Sequence, residues 1–496
     1  LDFTMEANNV SLERLPIMAS DLDLQGFIDL DGHLGGNLEH PYFKGEVNGE
    51  EILVNGERLT ELSGSLESNG RETNKLDIRF KQPYKNDENN YGLFTADLNL
   101  NIDQKYMHGK VLTLWGNLGG ILRMAKQDLN IDGTAQGELV FAPKGKGSGV
   151  NIAISADDVK IHDLNYHRME LNGRFLKGIL NIDEVELQET ENVTDKGIIT
   201  AEGSIDLRKK YYDMSLVAVK ANPAIVTAFM AEPPVITGEM DLDMYLKGTF
   251  SDPTGKADLV INNGSVSGVT VDKLTANLTM GNDKINLVEL QANRDIYGVK
   301  AFGDIPLDLF REKARRHNQK SQMNIEVDLS NARLAMLPAL TKMVEFGNGD
   351  IHGKITLAGT LEDPLVLGSV EIPEGSVKFK DVDTVIDNIH ADVQFEGRTI
   401  LLNDLSAVLG KGRVIANGSY ALREDADVPY GLKVVAENAE IVSEIFSGKI
   451  NSDIEIVPQE YRDFARKQGN QPAPLAHRPL IKGFVKLDDV LINMPT

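Results

Sequence analysis

Gly359-Thr360-Leu361-Glu362-Asp363-Pro364 opens a stretch that continues through the apolar residues Val370, Ile372, Val377 and Phe379. It closes on Gly412-Arg413-Val414-Ile415-Ala416-Asn417-Gly418, just before Leu422. Nothing in it is a plausible catalytic group. Apolar residues at alternate positions place their side chains on one face of an extended strand and the polar residues on the other. The stretch therefore reads as short strands with an apolar and a polar face, punctuated by turns.

Related openings stand at Gly36-Asn37-Leu38-Glu39-His40 before Pro41 and at Gly248-Thr249-Phe250-Ser251-Asp252 before Pro253. Five prolines, each followed by Gly and alternating apolar residues, lie at Pro41, Pro143, Pro253, Pro364 and Pro479, with spacings of 102, 110, 111 and 115. The Pro143 copy is the weakest. Self-similarity at a fixed period is the signature of an array whose units stack on their neighbours. The alternation recurs in Phe94, Ala96, Leu98, Leu100 and Ile102, in Met240, Leu242, Met244 and Leu246, in Met323, Ile325, Val327 and Leu329, and in Ile389, Ala391, Val393 and Phe395. A slip of one residue would carry acidic side chains to the apolar side, so the register is strongly specified.

Each unit is expected to close on a glycine-marked strand pair, Gly197 to Gly203, Gly298 to Gly303 or Gly412 to Gly418, and then to add a short helix. Asn9, Asn222, Asn331 and Asn438 occupy N-cap positions for these helices. Helical apolar spacing follows in Leu12, Leu15 and Ile17, in Ile225, Val226 and Phe229, in Leu334, Leu337 and Leu340, and in Ile441, Ile445 and Phe446. A further helix between Leu114 and Met124 is weakened by Gly116, Gly119 and Gly120. The expected units are 20–126, 127–231, 232–346 and 347–447, with the end of a preceding unit in 1–19 and a partial one in 448–496. Pro458 to Pro479 is a polar insertion in the last. The fold class is mainly β: an elongated, repeating antiparallel sheet of roughly 30 to 45 strands curled into an open groove.

Composition narrows the function. The chain carries 51 Lys plus Arg against 75 Asp plus Glu, a formal charge of −24, which argues against nucleic acid as a partner. The absence of cysteine removes disulfides, thiolate metal sites and Cys nucleophiles, and suits an oxidising compartment. No apolar run is long enough to span a membrane as a helix. The chain begins at Leu1 inside a strand-like pattern, which reads as a segment of something longer.

Enzyme readings fail on spacing. Lys144-Gly145-Lys146-Gly147-Ser148-Gly149 lies between strands with no helix behind it, so it is a turn and not a phosphate loop. His162 and His167 are five apart on a strand pattern and face opposite sides. Asp21, Asp23 and Gly26 begin like a calcium loop, but Gly32 stands where the bidentate Glu belongs. The Asn-x-Ser/Thr triplets at Asn9, Asn192, Asn263, Asn277 and Asn417 are expected by chance in so polar a chain, and the cluster Arg311, Lys313, Arg315 and Arg316 reads as a solvated loop. No metal and no cofactor are expected.

The apolar face remains. A large contiguous apolar surface must be covered or occupied, and one short helix per unit is too little cover. The candidate lining consists of Phe94, Leu98, Leu100, Ile102, Ile152, Ile154, Leu216, Met240, Leu242, Met244 and Leu246, followed by Leu259, Ile261, Ile325, Val327, Ile355, Leu357, Val377, Phe379, Val393 and Phe395. A second sheet or helix layer would bury such a face as in an ordinary sandwich; where the sheet instead curls into an open trough, the natural filling is lipid acyl chains.

The Gly-Thr-x-x-Asp-Pro opening, the Gly-x-Val-x-Ile strands, the glycine-marked close and the short helix together resemble the TamB and AsmA-like proteins of diderm bacteria. Residues 359–422 carry the resemblance best and 248–309 nearly as well. It implies a periplasmic β-groove, or β-taco, that conducts phospholipid between inner and outer membranes. It also implies an inner-membrane anchor outside this segment and, for TamB, a TamA-like outer-membrane barrel partner in autotransporter assembly. The competing reading is a scaffold or chaperone that holds client strands at a sheet edge. A porin is disfavoured because one Trp and 6% aromatics cannot build two interfacial girdles. A β-solenoid adhesin would have much shorter repeats.

Overall fold

A computed structural model describes the chain except for residues 1, 15–22, 70–72, 85–86, 102–105, 125, 128–129, 142–148, 191–196, 229–234, 250, 267, 295–296, 308–321, 341–342, 361–362, 422–430, 444–445, 459–478 and 493–496. The described residues form 27 strands of one antiparallel sheet that does not close, fewer strands than the sequence suggests. The chain divides into two units, Leu1–Ala228 with Met240–Pro253, and Phe229–Glu239 with Thr254–Thr496.

The first unit holds β1 (Asp2–Ser11), β2 (Leu24–Gly36), β3 (Pro41–Val54), β4 (Glu57–Ser68), β5 (Asn74–Tyr84), β6 (Asp87–Asn101), β7 (Tyr106–Asn117), β8 (Ile131–Phe141), β9 (Val150–Ile161), β10 (Leu164–Leu176), β11 (Ile179–Gln188), β12 (Ile198–Asp206), β13 (Tyr211–Ala221) and most of β14 (Ile236–Thr249). The second holds β15 (Pro253–Val266), β16 (Val269–Gly281), β17 (Lys284–Arg294), β18 (Tyr297–Pro306), β19 (Met323–Arg333), β20 (Val344–Gly359), β21 (Pro364–Phe379), β22 (Ile386–Gly397), β23 (Thr399–Leu409), β24 (Gly412–Ala421), β25 (Gly431–Val442), β26 (Phe446–Pro458) and β27 (Pro479–Ile492). Within each unit every strand pairs antiparallel with the next in sequence. Among the described residues helical segments are few: α1 (Leu118–Met124), α2 (Ala224–Thr227), α3 (Leu337–Leu340), and 3-10 turns at Leu12–Arg14 and Leu334–Met336.

The Gly-Thr-x-x-Asp-Pro openings are hairpin turns. Gly359 and Pro364 are register partners closing the β20–β21 turn, where Asp363 N–H donates to Thr360 Oγ1 at 3.0 Å. In the β14–β15 turn Asp252 N–H donates to Thr249 Oγ1, also at 3.0 Å. Proline at the first position of a strand costs no ladder hydrogen bond, which is why these strands can begin on it. The three glycine-marked closes, expected as strand pairs, are the single strands β12, β18 and β24.

Among the described residues one helix per repeat is not observed; Leu15, Ile17, Phe229 and Ile445 of the expected helices lie outside them. Ile441 lies in β25 and Phe446 begins β26, while α2 and α3 are single turns. Asn9, Asn331 and Asn438 lie within β1, β19 and β25 and not at helix caps. Asn222 does accept Ala224 N–H at 3.0 Å, at the start of α2. The glycine-rich stretch after Leu114 remains strand to Asn117, and Asn117 Oδ1 then accepts Gly120 N–H at 2.7 Å to start α1.

The error has a physical cause. Asn9 and Asn438 have φ of 57° and 49°, and the register skips at each, between Ala7 and Val10 and between Ala436 and Ala439. These are β-bulges, in which one strand carries an extra residue and the alternation lengthens from two to three for one step. The left-handed Asn of each bulge stands where an N-cap would, just ahead of Leu12 in one case and of Ile441 in the other, which invites the helical reading. Asn tolerates the left-handed conformation better than most residues, which explains its use here. Each bulge is pinned from the next strand: Asn9 N–H donates to Asp29 Oδ1 at 2.8 Å, Lys220 N–H to Asp241 Oδ1 at 3.0 Å, and Asn438 N–H to Asn451 Oδ1 at 2.8 Å.

Candidate ligand-binding face

The register assembles the predicted residues into one face, strand by strand. In the first unit Leu98 stands opposite Leu76 and Gly109, Ile152 opposite Leu139 and Gly173, and Ile154 opposite Gly137 and Leu171. Leu171 continues to Val185, Val185 to Ala201, Ala201 to Leu216 and Leu216 to Met244. Met240, Leu242 and Leu246 lie opposite Ala221, Ala218 and Met214 on the same face. Followed back from Phe94 the face passes through Phe80, whose ring stacks on Phe94 at 4.9 Å, and on through Ile78, Gly64, Val47 and Leu30 to Ala7 of β1.

The second unit repeats the arrangement. Leu259 and Ile261 face Ala276 and Leu274. Val327 joins Ala301 to Ile355, and Ile325 joins Gly303 to Leu357. From there the face runs through Gly368 to Phe395 and through Val370 to Val393. Leu402, Gly418, Leu432 and Ile456 extend it to Ile481 of β27. Ile102 lies outside the described residues.

Burial divides this face into two bands. Phe94, Met240, Leu242, Ile261 and Val377 are buried, on the side where the bulges and helical segments lie. Leu98, Leu100, Ile152, Ile154, Leu216, Met244, Leu246, Leu259, Ile325, Val327, Ile355, Leu357, Phe379, Val393 and Phe395 are only half-buried. In the second unit Leu334 of a 3-10 turn packs in one cluster with Val377, Ile389, Ala391, Ala407 and Ala439, while Phe379 and Ile441 lie against it. Val377 and Phe379 are therefore covered by the turn at Leu334, and Ile441 acts as a strand residue and not from a helix. In the first unit Met124 of α1 and Leu12 pack against Ile28, Val47, Ile52 and Leu59.

A polar clamp fastens α1. Arg123 Nε pairs with Glu57 Oε2 at 3.0 Å, fully buried Gln82 donates to Glu57 Oε1 at 3.2 Å, and Gln82 Oε1 accepts Asn117 N–H at 2.9 Å. At α2, Glu189 accepts Asn222 N–H at 2.6 Å, and burial holds the Glu189 carboxyl above the usual carboxylate range despite that bond. Nearby burial also raises the Tyr166 phenol.

The opposite face carries polar ladders such as Lys247 to Asp213 at 3.0 Å, where Tyr245 also donates to Asp213. A cleft of about 590 Å³ on that face crosses β6 to β10 between Leu93, Leu112, Leu114 and Arg168, whose guanidinium is already paired with Glu170 at 2.9 Å. Among the described residues no group of three or more His, Asp or Glu is poised to hold a metal, and no helix is long and apolar enough to cross a membrane.

Residues 188–408 match the TamB C-terminal domain. The match begins at the last residue of β11 and ends within β23, so it takes in part of each unit and a little under half of the chain. It covers Met240, Leu242, Met244 and Leu246, Ile325 and Val327, and Val393 and Phe395, as well as most of the stretch from Gly359 to Leu422. No curated protein and no solved structure matches the chain. The long antiparallel sheet is consistent with a TamB-like segment.

The face also contains residues that alternation did not single out. Leu171, Phe175, Leu180, Ile182, Ile205 and Met214 belong to it in the first unit, and Ile400, Leu402, Leu432, Val434, Ile454 and Ile456 in the second. Bulges interrupt the period near many of them. Counting a step of three as permitted once per strand would have found them.

Proposed function

We propose that the half-buried band is the wall of an open groove that conducts phospholipid acyl chains. One observation carries this reading: within each unit the register keeps a row of apolar side chains and glycines on one face from strand to strand, with polar residues such as Asn74 opposite Leu100 and Thr113 opposite Phe94 toward its margins. Transferring an acyl chain from hydrocarbon to water costs about 0.8 kcal/mol per CH₂, on the order of 10 kcal/mol per chain. A carrier surface must therefore be continuous. Along a wall of Leu, Ile, Val, Met and Phe a chain slides from one strand to the next at nearly constant free energy, while the headgroup stays in water.

The TamB match supports placing this segment in the periplasm of a diderm bacterium, held by an inner-membrane anchor and working with a TamA-like barrel. It supports a role in transport or assembly, with no chemical step. The four repeat units at 20–126, 127–231, 232–346 and 347–447 belong to the same proposal. Leu216 and Met244 are register partners and both half-buried. Replacing both with Asp is expected to lower lipid transfer between donor and acceptor vesicles at least tenfold while leaving the far-ultraviolet circular dichroism unchanged. Transfer at the wild-type rate would refute the conduit. Purified protein that yields client peptides and no phospholipid on extraction would favour the scaffold reading.

A further inference from the structure

The margin of the first unit opposite α1 and α2 carries an unusual concentration of positive charge. The β10–β11 turn is Lys177–Gly178 and the β12–β13 turn is Leu207–Lys210. Ile179 and Asp206 are register partners, so the two turns lie side by side, and Leu207 N–H donates to Gly178 O at 2.9 Å. The side chain of Arg208 lies over Gly178. Lys177, Arg208, Lys209 and Lys210 are all exposed, in a chain whose formal charge is −24.

The turn is built and not merely basic. Asp206 is 8% exposed, and its Oδ1 accepts Arg208 N–H at 3.0 Å and Lys209 N–H at 3.1 Å, which fixes the path of the cationic residues. Asp206 also stands 3.7 Å from the Arg208 guanidinium. Among the described residues Lys177, Lys209 and Lys210 have no carboxylate within ion-pair reach. The corresponding margin of the second unit differs: Arg398 is tied to Asp363 and Lys284 reaches Asp304 at 3.5 Å.

Directly inside these turns the register lines up Phe175, Leu180, Ile205 and Tyr212, all half-buried on the apolar face. Leu207 itself is 55% exposed. Four cations therefore border an apolar row, which is the arrangement that fits a molecule with a phosphate at one end and hydrocarbon at the other. Arginine and lysine donors suit phosphate oxygens, the first as a planar fork and the second as point charges.

We propose that these two turns bind the phosphate group of a phospholipid whose acyl chains lie on Phe175, Leu180, Ile205 and Tyr212. The proposal rests on the acyl-conduit reading and adds to it a fixed headgroup side, the margin away from the helices, and a requirement for phosphate. The test uses the full chain with dihexanoylphosphatidylglycerol below its micelle concentration, dihexanoylglycerol as the probe without phosphate, and inorganic phosphate as the probe without hydrocarbon. The triple variant Lys177→Ser, Lys209→Ser, Lys210→Ser is expected to bind the phospholipid about tenfold more weakly, the scale of three exposed ion pairs. Its binding of dihexanoylglycerol should be unchanged, and Lys→Arg at the three positions should restore phospholipid binding.

Unchanged phospholipid binding by the serine variant would overturn the proposal and leave the conduit standing. Wild-type protein that binds neither lipid would remove both. Inorganic phosphate binding as tightly as the phospholipid, and lost in the serine variant, would assign the cluster to free phosphate and overturn the lipid assignment. Because the three lysines are exposed and make no ion pair among the described residues, their replacement should leave the thermal midpoint close to that of the wild type, and a fall shared by the Arg variant would count against the site.

Discussion

Asn438 holds a left-handed backbone in the middle of β25, and its N–H is spent on the Asn451 side chain. A β-branched residue cannot adopt that conformation cheaply, so Asn438→Val is expected to cost about 1–2 kcal/mol, whereas Asn438→Gly should be nearly neutral. Hydrogen exchange of the β25 and β26 amides distinguishes the two. Gly203 is a second such position: its φ is 141° and a Cβ would run into Asp213 O of β13. Gly203→Ala should lower the unfolding midpoint of the first unit by more than an ordinary surface change. Asp206 gives a pH signature. Backbone N–H donation from Lys209 and Arg208 and their positive charges hold its carboxyl below the usual range. A depressed acid stabilises above its unfolded pKa of about 3.9 and loses that contribution as pH falls through the folded value. The stability difference between wild type and Asp206→Asn should therefore be present at neutral pH and vanish in acid.

At the scale of elements, α1 and the strands beneath it make a sharper case. α1 follows β7 and touches β4, while α3 follows β19 and touches β16, so each reaches back three strands within its own unit. Removing Arg123 leaves the Glu57 carboxylate, 7% exposed, without its cation. Arg123→Met should destabilise the first unit by about 2 kcal/mol in denaturant titration, and adding Glu57→Gln should recover much of it. Glu189 behaves in the opposite sense to Asp206. Its carboxyl is raised by burial, so the stability it contributes declines as pH rises through its folded pKa, and Glu189→Gln should flatten the pH dependence above about pH 4.3. Strands such as β6, β14, β19 and β22 were legible because five or so alternating residues overdetermine a face. The helical segments were not, because a bulge imitates a helical step over three residues and only the hydrogen bond from the neighbouring strand tells them apart. The clamp on α1 was equally hidden: Glu57, Gln82 and Arg123 are far apart in sequence and each looks like an ordinary surface residue.

Among the described residues most contacts between strands run to immediate neighbours within each unit, and where contacts are so local stability is a sum of local and interfacial contributions. Unfolding is therefore expected to depart from two-state behaviour, with a calorimetric enthalpy exceeding the van't Hoff value; equality of the two would show cooperativity across the chain. The strand starts at Pro41, Pro253, Pro364 and Pro479 were legible, because each proline begins a strand and the first three follow a turn-forming opening. The division of the apolar face into a buried and a half-buried band was not legible, since Met240 and Met244 are chemically alike and differ only in which side of the strand's bulge-to-turn axis they occupy. The alternation itself has one further consequence, for how such a chain can lengthen or shorten. An insertion of one residue inside a strand turns every later side chain of that strand over, and an insertion of two does not. A single added residue survives only as a bulge, left-handed as at Asn9, Lys220 and Asn438 or without a positive φ as at Asp183–Glu184, Val288–Glu289 and Asn403–Asp404. Tolerated insertions and deletions in strand interiors should thus come in even numbers, giving the sheet a parity rule independent of which apolar residue fills each place.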